Sequence, residues 1–179
     1  MNRLRYTALI ATLLIFAVIA GVPAAAADTT TVILVRHAEK MTDSSDPELS
    51  EAGVARAAAL VRVLADVKLS AIFSTPFKRT TETVAAIGAE RGIDVVITAI
   101  EEGLEKHVAD VVRRVTQDHP GETVLVVGHS NTVPAILGGL GIHGAPALSE
   151  KDYDDLFVVT IEADGSAQLM HLHYGAVSP

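Results

Sequence analysis

Three short segments carry side chains suited to chemistry on an anion. Arg36-His37 closes the apolar run at 31–35. Ser74-Thr75-Pro76-Phe77-Lys78-Arg79-Thr80 follows Ala71-Ile72-Phe73, and Gly128-His129-Ser130-Asn131 follows the run at 123–127. A neutral imidazole is a good nucleophile toward phosphorus, and attack by it divides hydrolysis into transfer to nitrogen and then to water. Guanidinium groups pair with phosphate oxygens in a bidentate fork that Lys cannot reproduce. His37 and His129 are therefore candidates for attack on a phosphate group, and Arg36 and Arg79 for holding its oxygens.

These segments work together only if the fold delivers them to one place. Residues 31–35, 71–73, 94–97 and 123–127 are short apolar, mostly β-branched runs, as expected of strands in a parallel sheet. Helical stretches alternate with them over 50–67, 76–91 and 105–119, with a shorter one starting near Asn131. Ser50 is placed to cap the first helix and Thr75-Pro76 to open the second. His119-Pro120-Gly121 ends the third. Residues 156–161 and 167–173 flank Ala163-Asp164-Gly165-Ser166 and predict a hairpin. The pattern βαβαβαβα followed by ββ predicts an α/β fold, a three-layer α/β/α sandwich on a mostly parallel sheet with a C-terminal edge hairpin. In such sheets ligands bind beyond the carboxyl ends of the strands, which is where the three segments lie.

With these motifs in this order, residues 31 to about 174 resemble the histidine phosphatase superfamily, also called phosphoglycerate mutase-like. Leu49-Ser50-Glu51-Ala52-Gly53 matches that family's start of the first helix. The resemblance implies phosphomonoester hydrolysis through phospho-His37, phosphate binding by Arg36, Arg79 and His129, and Ser130 and Asn131 nearby. It implies a small-molecule phosphomonoester or a phosphorylated protein as substrate, and no metal or organic cofactor.

The sequence also departs from that pattern. Ala38 stands where the family has Gly, and Asp43 where many members have Asn. Only 43 residues separate Arg79 from Thr123, too few for the insertions of the sugar-phosphate mutases, so a compact phosphatase is favoured. For the family's general acid, Glu102 in Ile100-Glu101-Glu102 is the nearest match, with Glu101, Glu105 and Glu39 as alternatives.

Two other function classes are open. A phosphate-binding pseudoenzyme would keep the pocket without turnover. A serine esterase would use Ser130, but the Gly-x-Ser-x-Gly elbow requires Gly where Thr132 stands. His107, His119 and His143 read as structural or surface residues. His171 and His173 alternate on one strand face and supply half of a zinc site; with no Cys and no His-x-x-x-His pattern, no metal site is expected.

Arg3 and Arg5, the apolar run at 8–22 and Ala24-Ala25-Ala26-Ala27 have the layout of a signal peptide over 1–27. The expected mature domain is 28–179, exported to the periplasm, cell envelope or exterior, without stable membrane association after cleavage. Net charge is −8, and since the leader holds two of the 14 basic residues and none of the 22 acidic ones, the mature chain reaches −10. Such a surface disfavours nucleic acid as a partner.

Overall fold

The computed structural model describes residues 29–42 and 44–178; the expected leader over 1–27 and Asp43 lie outside them. The elements run β1 (Thr30–Arg36), α1 (Glu51–Val63), β2 (Ala71–Ser74), α2 (Lys78–Arg91), β3 (Val95–Ile97) and α3 (Leu104–Arg113), the last continuing as a π-helical turn over Arg114–Asp118. After these come β4 (Thr123–Gly128), α4 (Thr132–Gly139), β5 (Asp155–Ile161) and β6 (Ala167–His173). One six-stranded sheet has the order β3-β2-β4-β1-β5-β6. Its first four strands in that order pair in parallel, whereas β5 runs antiparallel to both β1 and β6.

Successive residues of a strand point to opposite faces, so strands that are apolar throughout must be covered twice. One face carries Val32, Leu34, Val124, Val126 and Phe157 against Val111 of α3 and Val133, Ile136 and Leu137 of α4. The other carries Ile33, Val35, Leu125 and Val127 against Leu60 of α1 and Val84 and Ile87 of α2. This is the expected three-layer arrangement. Burying each such side chain contributes about 1.5–3 kcal/mol, and the two layers together hold β1 and β4 at the centre.

Several boundaries differ from the sequence expectation. α1 stops at Val63, where Leu64 tucks into the core and its amide closes on Leu60. Ser50 does cap α1, accepting from the Gly53 amide. α2 begins at Lys78 rather than Pro76, and its cap residue Phe77 makes no side-chain capping bond. Thr75 does not cap because its hydroxyl is taken by Thr80 and His129. β3 is an edge strand, its side chains half-buried or exposed, not a buried central one. No described helix is long and apolar enough to cross a membrane.

Candidate active site

β1 and β4 are adjacent and in parallel register, with Arg36 beside Gly128. The two central strands therefore end at the same level, and His37 and His129 emerge side by side with ring centroids 5.3 Å apart. Gly128 is required there: a Cβ on it would lie 2.4 Å from Thr132 Oγ1. That close approach lets Thr132 Oγ1 accept from the His129 amide at 2.7 Å, so α4 starts directly behind the histidine. β2, on the other side of β4, delivers Thr75 and the start of α2, and with them Arg79.

Each ring is held at one nitrogen. His37 is 3% exposed, and its Nδ1 lies 2.8 Å from the Ala38 carbonyl oxygen. Nδ1–H donates there, which leaves the Nε2 lone pair free. The Ala38 amide in turn donates to Thr83 Oγ1 of α2 at 3.0 Å. His129 Nε2 lies 2.9 Å from Thr75 Oγ1. Burial, opposed by the hydrogen bond to Ala38 and reinforced by Arg36 and then by His129 and Arg79, pushes the His37 pKa down to about 3. Burial and then Arg79 and Arg36 push His129 down to about 4. Both rings are therefore neutral at ordinary pH, the form a nucleophile needs.

The open pocket beside them, about 290 Å³, is lined by His37, Arg79, His129, Ser130, Asn131 and Glu150, among others. The strand ends thus bring together five of the six residues singled out in the sequence. Arg36 sits behind the pocket wall. It is 1% exposed, its Nη1 donates to the carbonyls of Ser149 and Asp152, its Nη2 donates to Glu150 Oε2 at 3.0 Å, and its guanidinium stacks on Tyr153. Arg36 reaches an anion in the pocket only if that anion takes the place of the Glu150 carboxylate. Nε of Arg36 and Nε of Arg79 are buried donors with no protein partner, and the α2 and α4 N-termini add positive dipole at this edge. The site is built to receive a compact anion.

None of the four carboxylates considered as general acid lines this pocket. Glu39 is bonded to Arg56 through both oxygens. Glu102 pairs with Lys106 at the surface, Glu101 folds back onto the Ile100 amide, and Glu105 borders a separate apolar groove. The carboxylate at the pocket is Glu150, which sequence reasoning missed. Its Oε1 accepts from Ser130 Oγ at 2.5 Å, and this bond, together with Arg36, holds its pKa below the usual carboxylate range. Lys40 and Phe77, also in the pocket lining, were not singled out either. Lys40 follows the Arg36-His37 motif closely enough that spacing alone could have flagged it. Ser130 Oγ is hydrogen-bonded to the Glu150 carboxylate and, among the described residues, to no imidazole, so the serine–histidine pair of the esterase reading is not formed. His107 is buried with Nδ1 on the Ala99 carbonyl, and His119 bonds Glu122, in keeping with structural roles.

The family model of the histidine phosphatase superfamily (branch 1) matches residues 32–105. No curated protein matches the sequence. Among solved structures, the fold is similar to the protein histidine phosphatase SixA complexed with tungstate (TM-score 0.62, 17% identity, covering 80% of this chain and 96% of that one). It is also similar to SixA of Agrobacterium tumefaciens (TM-score 0.58, 26% identity, 80% and 97% covered). A mycobacterial glucosyl-3-phosphoglycerate phosphatase is a third relative in fold (TM-score 0.58, 18% identity, 83% and 99% covered). The family match begins in β1 and runs through the Arg36-His37 and Ser74–Arg79 segments, and with His129 beside His37 at the sheet edge the chain is similar to the histidine phosphatase superfamily in these segments and in fold.

Proposed function

We propose that this chain is a phosphomonoester hydrolase that works through a phosphohistidine on His37 without a metal. The observation that carries the reading is the pairing of a neutral His37, its Nδ1 committed to Ala38 and its Nε2 free, with Arg79 and His129 around one pocket. Nε2 attacks phosphorus, the N–P bond forms and the P–O bond to the leaving group breaks. Arg79, His129 and, once Glu150 swings aside, Arg36 hold the three equatorial oxygens, where preorganised charge has its largest effect. Water then attacks the phosphorus of phospho-His37, the N–P bond breaks and inorganic phosphate leaves.

Glu150 is ionised in this setting and poorly suited to donate a proton. The site therefore favours leaving groups that depart without strong acid help. An aryl oxide is one. The imidazole of a phosphorylated histidine, which takes its own proton near neutrality, is another. Relatives in fold include a protein histidine phosphatase, which agrees with a phosphorylated protein side chain as substrate; a small phosphomonoester fits the same pocket. We further propose export, with the leader removed before Asp28; N-terminal sequencing of chain recovered from the cell envelope checks this, and an intact Met1 there would refute it.

Phosphate release from p-nitrophenyl phosphate, with and without chelator, tests the mechanism together with trapping of the intermediate. An acid-labile phosphate mapped to His37, and loss of turnover in His37→Ala, are the expected results. Phosphate binding with no turnover would identify a pseudoenzyme, and full activity in His37→Ala would overturn the nucleophile.

A further inference from the structure

We propose that Asp155, His171 and His173 form a binding site for a divalent transition-metal cation such as Zn²⁺, at the β5–β6 edge of the sheet and separate from the phosphate pocket. His171 and His173 lie two residues apart on β6, and Leu169 of the same parity packs into the core on the α3/α4 side, so both rings face that side. The antiparallel register sets Asp155 of β5 opposite His173 and Phe157 opposite His171. Asp155 and Phe157 share the same face, and the carboxylate reaches both imidazoles across the strand pair.

The distances fit one small cation. Asp155 Oδ1 lies 2.6 Å from His171 Nε2 and 3.7 Å from His173 Nδ1, and all three ligand atoms fall within 4.8 Å of one another. Tetrahedral zinc with ligands about 2.0–2.1 Å away requires ligand atoms roughly 3.4 Å apart. The three atoms reach that spacing by side-chain movements of an ångström or so. Asp154 Oδ2, 3.5 Å from His173 Nδ1, stands beside the fourth position.

Two features separate this cluster from a chance surface group. The His171 ring is stacked on Phe157 with centroids 4.5 Å apart, so one ligand is oriented by the core. Asp155 is 7% exposed, and its only salt-bridge partners among the described residues are these two histidines. A buried carboxylate is paired or coordinates a metal, and a divalent cation held by all three side chains supplies such a partner. Two nitrogens and one carboxylate oxygen select a borderline first-row cation over Mg²⁺ or Ca²⁺, which take oxygen ligands.

Isothermal titration of the chelator-dialysed protein with Zn²⁺, in excess Mg²⁺, is the test. One saturable equivalent is expected, weakened about tenfold or more in His171→Ala and in His173→Ala, and unchanged in His37→Ala. Both histidines are partly exposed, so these variants fold; circular dichroism checks it. Co²⁺ in place of Zn²⁺ should give visible d–d bands that disappear in His171→Ala. Absence of saturable binding would overturn the proposal, and so would binding that survives the double His171→Ala/His173→Ala variant or is lost in His37→Ala.

Discussion

The chain carries two close pairs of histidines, and they sit in opposite electrostatic surroundings. His37 and His129 are 3% and 8% exposed and lie among Arg36, Arg79 and Lys40. His171 and His173 have side chains 34% and 63% exposed and lie against Asp154 and Asp155. Burial and arginine charge keep the first pair neutral, in a field that attracts anions. Carboxylates beside the second pair make the same imidazoles a trap for cations. Side-chain type alone therefore does not assign a histidine's chemistry; the charge of its neighbours does. The two pairs are also positioned differently. The first occupies the ends of two parallel strands, where the chain leaves the sheet and side chains converge. The second lies within an antiparallel ladder, where register fixes which residue faces which.

The largest effect in this comparison comes from removing the cationic surroundings of the first pair. Arg79→Ala and His129→Ala should each lower kcat/KM for an aryl phosphate on the order of a hundredfold, the usual consequence of losing one preorganised group that stabilises transition-state charge. Loss of less than about fivefold in Arg79→Ala would break the claim that the α2 N-terminus delivers a phosphate clamp.

Acid stability comes next. The His37 pKa is lowered from 6.5 to about 3 and that of His129 to about 4. Between those values and 6.5 the unfolded chain binds protons that the folded chain refuses. The stabilisation is complete above pH 6.5 and is lost as pH falls through this window. At about 1.4 kcal/mol per unit, lowering pH from 6.5 to 5 removes roughly 2 kcal/mol per histidine. Urea unfolding of His129→Asn at pH 7 and pH 5 should show that one such contribution has disappeared. An unchanged difference between the two pH values would mean that the native site leaves the His129 pKa near its ordinary 6.5.

A smaller effect is expected at Glu150, whose carboxylate occupies Arg36 while its own side chain is 78% exposed. Exposed ion pairs are worth at most about 1 kcal/mol, so Glu150→Gln should tighten inhibition by inorganic phosphate by no more than about fivefold. Weaker inhibition in the variant would show that Glu150 assists anion binding instead of competing with it.

How much of this was legible in the sequence follows from the same contrast. Strand ends are readable: a β-branched run followed by Arg-His or Gly-His places a side chain at the ligand edge, and the three-layer fold with its six strands was inferred from those runs. The edge position of β3 was not, because Val95-Val96-Ile97 has the composition of a central strand and only the strand order leaves one side open. Glu150 was hidden because it belongs to an irregular segment 114 residues from Arg36, with no periodicity to place it. Glu102 drew attention by its position after the third strand, but its side chain turns to Lys106. The pairing of His171 with His173 was visible as alternation on one strand. Asp155 was not, since a partner across a ladder depends on a register that neither strand reveals alone.

The smallest expected effect is also the sharpest test of whether the two histidine pairs are independent. His171 and His173 touch nothing in the phosphate pocket, and surface substitutions usually change stability by no more than about 0.5 kcal/mol. Aryl phosphate turnover in His171→Ala and His173→Ala should therefore stay within about twofold of the unmodified chain. One route could carry a larger change: Asp154 and Asp155 directly follow Tyr153, which stacks on Arg36 and lies 6.0 Å from the His37 ring. If ordering of Asp155 by its histidines were needed to hold Tyr153 in place, kcat/KM would fall in both variants, and Tyr153→Phe, which keeps the ring, would be silent while Tyr153→Ala reproduced the loss. A loss in His171→Ala without one in Tyr153→Ala would exclude that route. Unchanged turnover in both histidine variants would leave the phosphate chemistry with the arginine-flanked pair and show that the aspartate-flanked pair takes no part in it.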